Sequence, residues 1–341
     1  MKLNRIAGYL SQPDITRHVI KYHAAMLLGR KKQAQRQLMD IFERINPGIA
    51  FDTPAFRRKN RILSDAADWL ADSFAAESHT GPGVAFFRRM LEMHPGWGVL
   101  YRGLCRLTFP GDDHVRLLRA LHERVQPKFY VEIGVSKGVS ISVARPSTDS
   151  VGIDPMPQIG KRLPSNISIY TETSDAFFHA YEQRPQFAGR KIDMAFIDGL
   201  HLFEQALRDF VNVEKRATAN GLIAIHDCIP FDEVASARDY HAPYWVGDVW
   251  KCLAILMDHR PDLQIEIVGA PPSGLVLVSK INPASRILDD KFDSLVRDYA
   301  PLRFVDWETS YAKRIQIIPS DAEAIGRTYA RVDKAAPMAN T

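Results

Sequence analysis

Between Phe129 and Asp227 five short apolar runs recur, with helical or loop segments between them: FYVEIG (129–134), SVGID (150–154), ISIYTE (167–172), DMAFID (193–198) and GLIAIHD (221–227). Runs that are apolar throughout belong to strands covered on both faces, and strands spaced by helices form parallel sheets. The pattern predicts a doubly wound α/β domain. Two further runs, LQIEIVG (263–269) and GLVLVSK (274–280), follow a helix expected over 248–259 and are joined only through APPSG. A link of five residues cannot carry a crossover helix, so this last pair must be an antiparallel hairpin. The expected core is a sheet of seven strands.

The rest of the chain has another texture. Apolar spacing predicts helices over 15–45, with Asp14 as N-cap and NPG (46–48) as the stop, then over 62–76 and 84–93, separated by GPG (81–83). One more amphipathic helix carries Val115, Leu118, His122 and Val125 on one face and ends at Pro127. We therefore expect a helical region over 1–112, the sheet domain over 113–281, and an extension over 282–341 with a helical stretch, the apolar run RIQIIP and a disordered end, PMANT.

In 341 residues the formal charge is only +4, concentrated in runs such as GRKKQAQR (29–36) and FRRKNR (56–61). Solvated helix faces account for these runs, so neither nucleic acid nor a membrane is expected as a partner. Three scattered cysteines, Cys105, Cys228 and Cys252, form no CxxC pair and no disulfide framework. The N-terminus has no signal-peptide core, and no run of about 18 apolar residues occurs. A cytoplasmic protein is the expectation.

Ligands of open parallel sheets bind beyond the carboxyl ends of the strands, and the polar boxes lie there. In VEIGVSKGVS (131–140) a strand enters a turn carrying Gly134 and Gly138, with a helix expected next, a setting for a nucleotide-like ligand at a helix N-terminus. The Gly-x-x-x-Gly spacing, with Ser136 between, is not GxGxxG and argues against NAD. Asp154 ends the next run, where a carboxylate can accept both hydroxyls of a ribose. Asp198, His226 and Asp227 end the fourth and fifth runs, which a doubly wound order makes neighbours. Carboxylates crowded in one cleft repel each other unless a cation lies among them, so a divalent ion is expected there. Trp245 and Asp248, in YWVGDVWK (244–251), are substrate candidates.

The succession of ExGxxxG, an acidic end to the second strand, SDAFF (174–178), FIDGLH (196–201), IAIHDC (223–228) and a terminal antiparallel hairpin resembles the class I S-adenosylmethionine-dependent methyltransferases, whose sheet is Rossmann-like. The resemblance spans about Asp113 to Lys280. It implies S-adenosylmethionine (SAM) as cofactor, with Gly134, Ser136 and Gly138 along the methionine portion, Glu132 supporting its amino group, Asp154 on the ribose and Asp175 near the adenine. Asp198-x-x-His201 with an acidic residue on the next strand is similar to the metal-dependent sugar O-methyltransferases and the related cephalosporin hydroxylase group. By that likeness Asp198 and Asp227 are metal ligands, Mg2+ or Mn2+ being the first expectation, and His201 is the general base. The sequence departs at His226, which stands where the pattern has Glu; either an imidazole ligand suits zinc, iron or manganese better than magnesium, or the site has two carboxylates completed by water.

The expected function is metal-assisted O-methylation of a small polar acceptor such as a sugar. The helical first third is expected to cap the site or to mediate homo-oligomerisation. Two alternatives stand beside it: a metal-dependent oxygenase, since Asp198, His201 and His226 include the ligand types of non-haem iron sites, and a SAM-binding accessory protein without turnover.

Overall fold

The computed structural model describes residues 13–44, 54–109, 111–160, 162–240 and 244–321, with side chains described from residue 17 in its first helix and from residue 63 in its third. The chain divides into two compact units, one of residues 1–110 with 241–245, the other of 111–240 with 246–341.

The first unit is helical: α1 (Pro13–Leu27), α2 (Lys31–Arg44), α3 (Pro54–Ala76), α4 (Thr80–Met93) and α5 (Gly98–Thr108). The single helix expected over 15–45 is in fact two. The break falls at Gly29, whose φ of 66° lies in the left-handed region that glycine enters freely, and the amides of Gly29 and Arg30 close the end of α1 on the carbonyls of Met26 and Ala25. Asp14 consequently lies inside the first turn of α1. The proposed stop at 46–48 and the PMANT end lie outside the described residues. GPG does not separate α3 from α4. It forms the first turn of α4, where the missing N–H of Pro82 has no intrahelical partner to lose. Helix α5 was not anticipated from spacing; it packs on α4 at Gly103, where a side chain's first carbon would lie 2.3 Å from the Phe87 ring.

The second unit opens with α6 (His114–Val125), capped by the Asp113 carboxylate, which accepts the Arg116 amide at 2.9 Å. The strands follow as β1 (Phe129–Ile133), β2 (Asp149–Ile153), β3 (Ile167–Tyr170), β4 (Ile192–Ile197), β5 (Ala217–His226), β6 (Gln264–Gly269), β7 (Leu275–Ser279) and β8 (Ile317–Pro319). Between them run α7 (Ser174–His179), α8 (Phe203–Arg216) and α9 (Trp250–His259). The sheet has the order β3-β2-β1-β4-β5-β7-β6-β8. Strands β1 to β5 pair in parallel, β7 is antiparallel to both β5 and β6, and β1 and β7 are buried at every position.

The sheet thus has eight strands rather than seven. The last, from the RIQIIP run, pairs in parallel with β6 through Ile267↔Ile317 and Val268↔Ile318. Three residues carry no readable period; only the open edge of β6 makes them a strand. Asp258 on α9 secures the same extension, accepting the hydroxyls of Tyr299 and Tyr311 at 2.6 and 2.9 Å and the Arg314 guanidinium at 2.7 Å. The helix expected after the glycine turn is a single 3-10 turn, Ile141–Val143, because Pro146 stops the run and the short connection to β2 leaves no room for more. No helix among the described residues is long and apolar enough to cross a membrane.

Candidate active site

The carboxyl ends of β1, β4 and β5 lie side by side in the sheet, and the chain leaves each through a position with restricted options. At the end of β1, Gly134 (φ 88°) donates its amide to Ile153 O of β2 at 2.9 Å. The turn continues through Ser136 (φ 47°) and Gly138 (φ 74°). Nothing closer than 3.4 Å would meet a side-chain carbon at Gly138, so its backbone angle, not crowding, calls for glycine there. Asp154, ending β2, accepts the amides of Val135 and Ser136 at 3.0 and 2.7 Å on one oxygen and the amide of Met156 at 2.7 Å on the other. Its carboxylate therefore orders the glycine turn. Glu132 is fully buried and accepts the hydroxyls of Tyr130 (2.7 Å) and Ser140 (2.6 Å). Burial raises its carboxyl to about 8 despite these hydrogen bonds. Asp175 is exposed on α7 and meets Arg208 at 3.1 Å and Gln205 at 3.3 Å.

Beyond β4 and β5, four side chains converge. His201 Nε2 lies 3.0 Å from Asp227 Oδ2 and 3.6 Å from Asp198 Oδ1. His226 Nδ1 lies 3.1 Å from Asp198 Oδ1 and 3.3 Å from Asp227 Oδ1. Asp227 has a φ of 60°, a conformation aspartate tolerates better than most residues, and this bend turns its carboxylate back into the cluster. Burial raises the Asp198 carboxyl, but His226 and His201 outweigh it and hold it well below the usual range. The converse holds for the imidazoles. Burial opposes their charge, yet Asp227 and Asp198 raise His201 to about 9 and lift His226 well above its ordinary value. The repulsion expected between the two carboxylates is offset by two imidazoles.

Asp198, His201 and Asp227 present one ligand atom each within 4.8 Å of one another, a set that could hold a metal ion. Two carboxylates and one imidazole fit a divalent cation. His226, expected among the ligands, is brought into the same cluster: its Nδ1 faces both carboxylates and its Nε2 lies 3.3 Å from Ser273 Oγ. Asp248 is not brought into this cluster. It is buried and accepts the Phe203 amide at 3.0 Å, Arg238 at 2.7 Å and Lys251 at 3.0 Å, so it fixes the start of α8 just beyond His201. Trp245 belongs to the helical unit.

Two participants were not singled out from sequence. Ser273, in the β6–β7 link, donates to Asp227 Oδ1 at 2.5 Å. His114, the first residue of α6, lies with its ring 4.4 Å from that of His226 and its Nδ1 3.2 Å from Pro271 O. The APPSG link carries no sequence signal beyond its length, and nothing in the local spacing marks either residue.

A doubly wound sheet ending in an antiparallel hairpin, with a glycine turn after β1 and an acidic end to β2, defines the class I SAM-dependent methyltransferase fold. Residues 131–228 match the family model Methyltransf_24, described as a methyltransferase domain. Among curated proteins none matches. Solved structures that align with it include the O-methyltransferase TomG from Streptomyces achromogenes, involved in tomaymycin synthesis and in complex with SAM (18% identity, 48% of this chain and 78% of that one, TM-score 0.38). An O-methyltransferase from Bacillus cereus in complex with SAH aligns at 12% identity, over 58% of this chain and 98% of that one, TM-score 0.39. Cofactor-bound Rv0187 from MTB aligns at 16% identity, over 69% of this chain and 93% of that one, TM-score 0.39.

Proposed function

We propose that this protein transfers the methyl group of SAM to a hydroxyl of a small polar acceptor, such as a sugar, with assistance from a divalent cation. The observation that carries the reading is the convergence of Asp198, His201 and Asp227 at the carboxyl ends of β4 and β5, beside the glycine turn that follows β1. The bound cofactor supplies a sulfonium methyl for which an oxygen nucleophile must be prepared nearby. The turn at Gly134, Ser136 and Gly138, three residues at positive φ, gives an open backbone at the strand end that suits such a cofactor, and Asp154 holds that turn through the Val135, Ser136 and Met156 amides. Direct contacts of Glu132, Asp154 and Asp175 with the cofactor are part of the proposal. Asp198 and Asp227 would hold the cation, which would lower the pKa of the acceptor hydroxyl.

His201 takes the hydroxyl proton at Nε2. In this reading His201 stays outside the ligand set: with Asp198 and Asp227 holding the cation, the carboxylates would no longer keep the imidazole protonated, and Nε2 would be free to accept the proton. His226 orients Asp198 rather than joining the ligands. The methyltransferase domain weighs against the oxygenase alternative, because its chemistry needs no oxidant. A cap or dimerisation role for residues 1–112, and a cytoplasmic location, belong to the same reading; light scattering on the purified protein tests the dimer.

The test is release of S-adenosylhomocysteine with a panel of sugars, polyols and phenols. We expect turnover with a hydroxylated acceptor, its loss on chelation and its return with Mg2+ or Mn2+. In His201→Asn, kcat should fall by about 10²- to 10⁴-fold while SAM still binds. Turnover that survives chelation would remove the cation from the scheme. No turnover on any acceptor, or a fully active His201→Asn, would overturn the reading.

A further inference from the structure

The β6–β7 link reaches across the end of β5 and is docked there by its backbone. Ser273 O accepts the Ile229 amide at 3.2 Å, and the Gly274 amide closes the link on Ala270 O at 2.8 Å. Gly274 fits because a side-chain carbon there would lie 2.3 Å from Ile229 Cδ1. At the other end of the link, Pro271 O accepts the His114 amide at 3.1 Å. The link is therefore held in place without any contribution from the Ser273 side chain.

That side chain is fully buried, and both of its polar contacts run to the cluster: Oγ donates to Asp227 Oδ1 at 2.5 Å and lies 3.3 Å from His226 Nε2. A serine hydroxyl has one proton to give. Given to Asp227, it leaves a lone pair for His226, so the hydroxyl joins the two residues that end β5. Asp227 Oδ1 is thereby engaged, and Oδ2 is the oxygen directed at His201 Nε2, 3.0 Å away. His226, pinned at Nε2, presents Nδ1 to Asp198 Oδ1 at 3.1 Å.

We propose that Ser273 is a positioning residue for the methyl-transfer site: by engaging one oxygen of Asp227, its hydroxyl fixes the orientation in which the carboxylate presents the other to His201 and, through His226, the attitude of Asp198. The inference rests on the proposed reaction. It adds a requirement from a hairpin link that follows β5 by more than forty residues, and it gives His226 a reason for standing where an acidic ligand was expected. Because its hydroxyl bonds to Asp227 and His226, its loss should act on the rate of the chemical step more than on the binding of cofactor or acceptor.

The test compares the full-length protein with Ser273→Ala and Ser273→Thr, using an acceptor on which the parent turns over. Ser273→Ala should lower kcat by about 10- to 100-fold, the range for losing an outer partner of a functional group, with KM for the acceptor and the dissociation constant for SAM within about threefold of the parent. Ser273→Thr, which keeps the hydroxyl, should recover most of the rate. A thermal unfolding midpoint close to the parent's is expected for both variants, since the backbone bonds of the link remain. The inference falls if Ser273→Ala retains the parent's kcat, if the loss lies in KM or in SAM binding, or if Thr is as poor as Ala. A parent that turns over no acceptor would bring down the proposed reaction and this inference together, an outcome distinct from an active parent with an equally active Ser273→Ala.

Discussion

A side-chain carbon at position 134 would lie 1.9 Å from the carbonyl oxygen of Asp198, and the φ of 88° there is one that non-glycine residues avoid. The exit of β4 is pressed onto the exit of β1, which brings the glycine turn and Asp198 together. Gly134→Ala should therefore cost about 3 kcal/mol or more in urea unfolding, through strain and overpacking combined. Gly138→Ala faces only the strain of a φ of 74° with ordinary contacts around it, and should cost less, about 1–2 kcal/mol by the same measurement. Asp198, His201 and Asp227 were legible as single residues because each follows an apolar run. Ser273 and His114 were not, since a serine in a five-residue link and a histidine opening a helix have many ordinary explanations.

At the scale of elements, α8 begins without a side-chain cap of its own. Leu202 occupies the cap position, and a capping carboxylate comes instead from Asp248, forty-five residues away, by its bond to the Phe203 amide. The clamp is doubled by Gly247, where a side-chain carbon would lie 1.8 Å from His201 O. Both contacts hold the backbone just after His201, so the segment that bears the proposed base is fixed from the far side of the sheet connection. Asp248→Ala should destabilise by about 3–5 kcal/mol, because it strips a helix amide and leaves the buried Lys251 amine without its carboxylate. Chemical denaturation measures the cost; a shift of less than 1 kcal/mol would contradict this role. From sequence, the same aspartate is a substrate candidate, since two of its partners, Phe203 and Arg238, lie on segments that no local pattern connects to it.

At the scale of the whole molecule, the sheet carries a buried acid whose ionisation opposes folding. Glu132 rises from an ordinary value of 4.5 to about 8 through burial. Between those values the unfolded chain has released the proton and the folded chain has not, so this group's contribution to stability falls as pH rises through that window. Glu132→Gln removes the ionisation; its carbonyl accepts one of the Tyr130 and Ser140 hydroxyls, which reach different oxygens of Glu132, and its NH2 donates to the other. The stability difference between variant and parent should therefore grow in the variant's favour from pH 5 to pH 8, measured by urea unfolding without cofactor. A difference independent of pH would contradict the assignment. Comparing the two proteins at each pH isolates this group from carboxylates shifted the other way, such as Asp198 and Asp258.

The sequence by itself determined the parallel strands, the closing hairpin and the carboxyl-end position of the chemical residues. Apolar runs, link lengths and strand-end polar residues are local quantities, and burial on both faces leaves them few alternatives. Tertiary structure alone decided the reduction of the expected helix after Ser140 to one turn, the eighth strand, and the contacts among Asp198, His201, His226 and Asp227. Each of these depends on a partner distant in the chain or on the space left between packed elements. Which nitrogen of His226 meets Asp198, and how the Asp227 carboxylate is turned toward His201, is set by Ser273 from the β6–β7 link, where hydrogen-bond geometry and not sequence spacing decides.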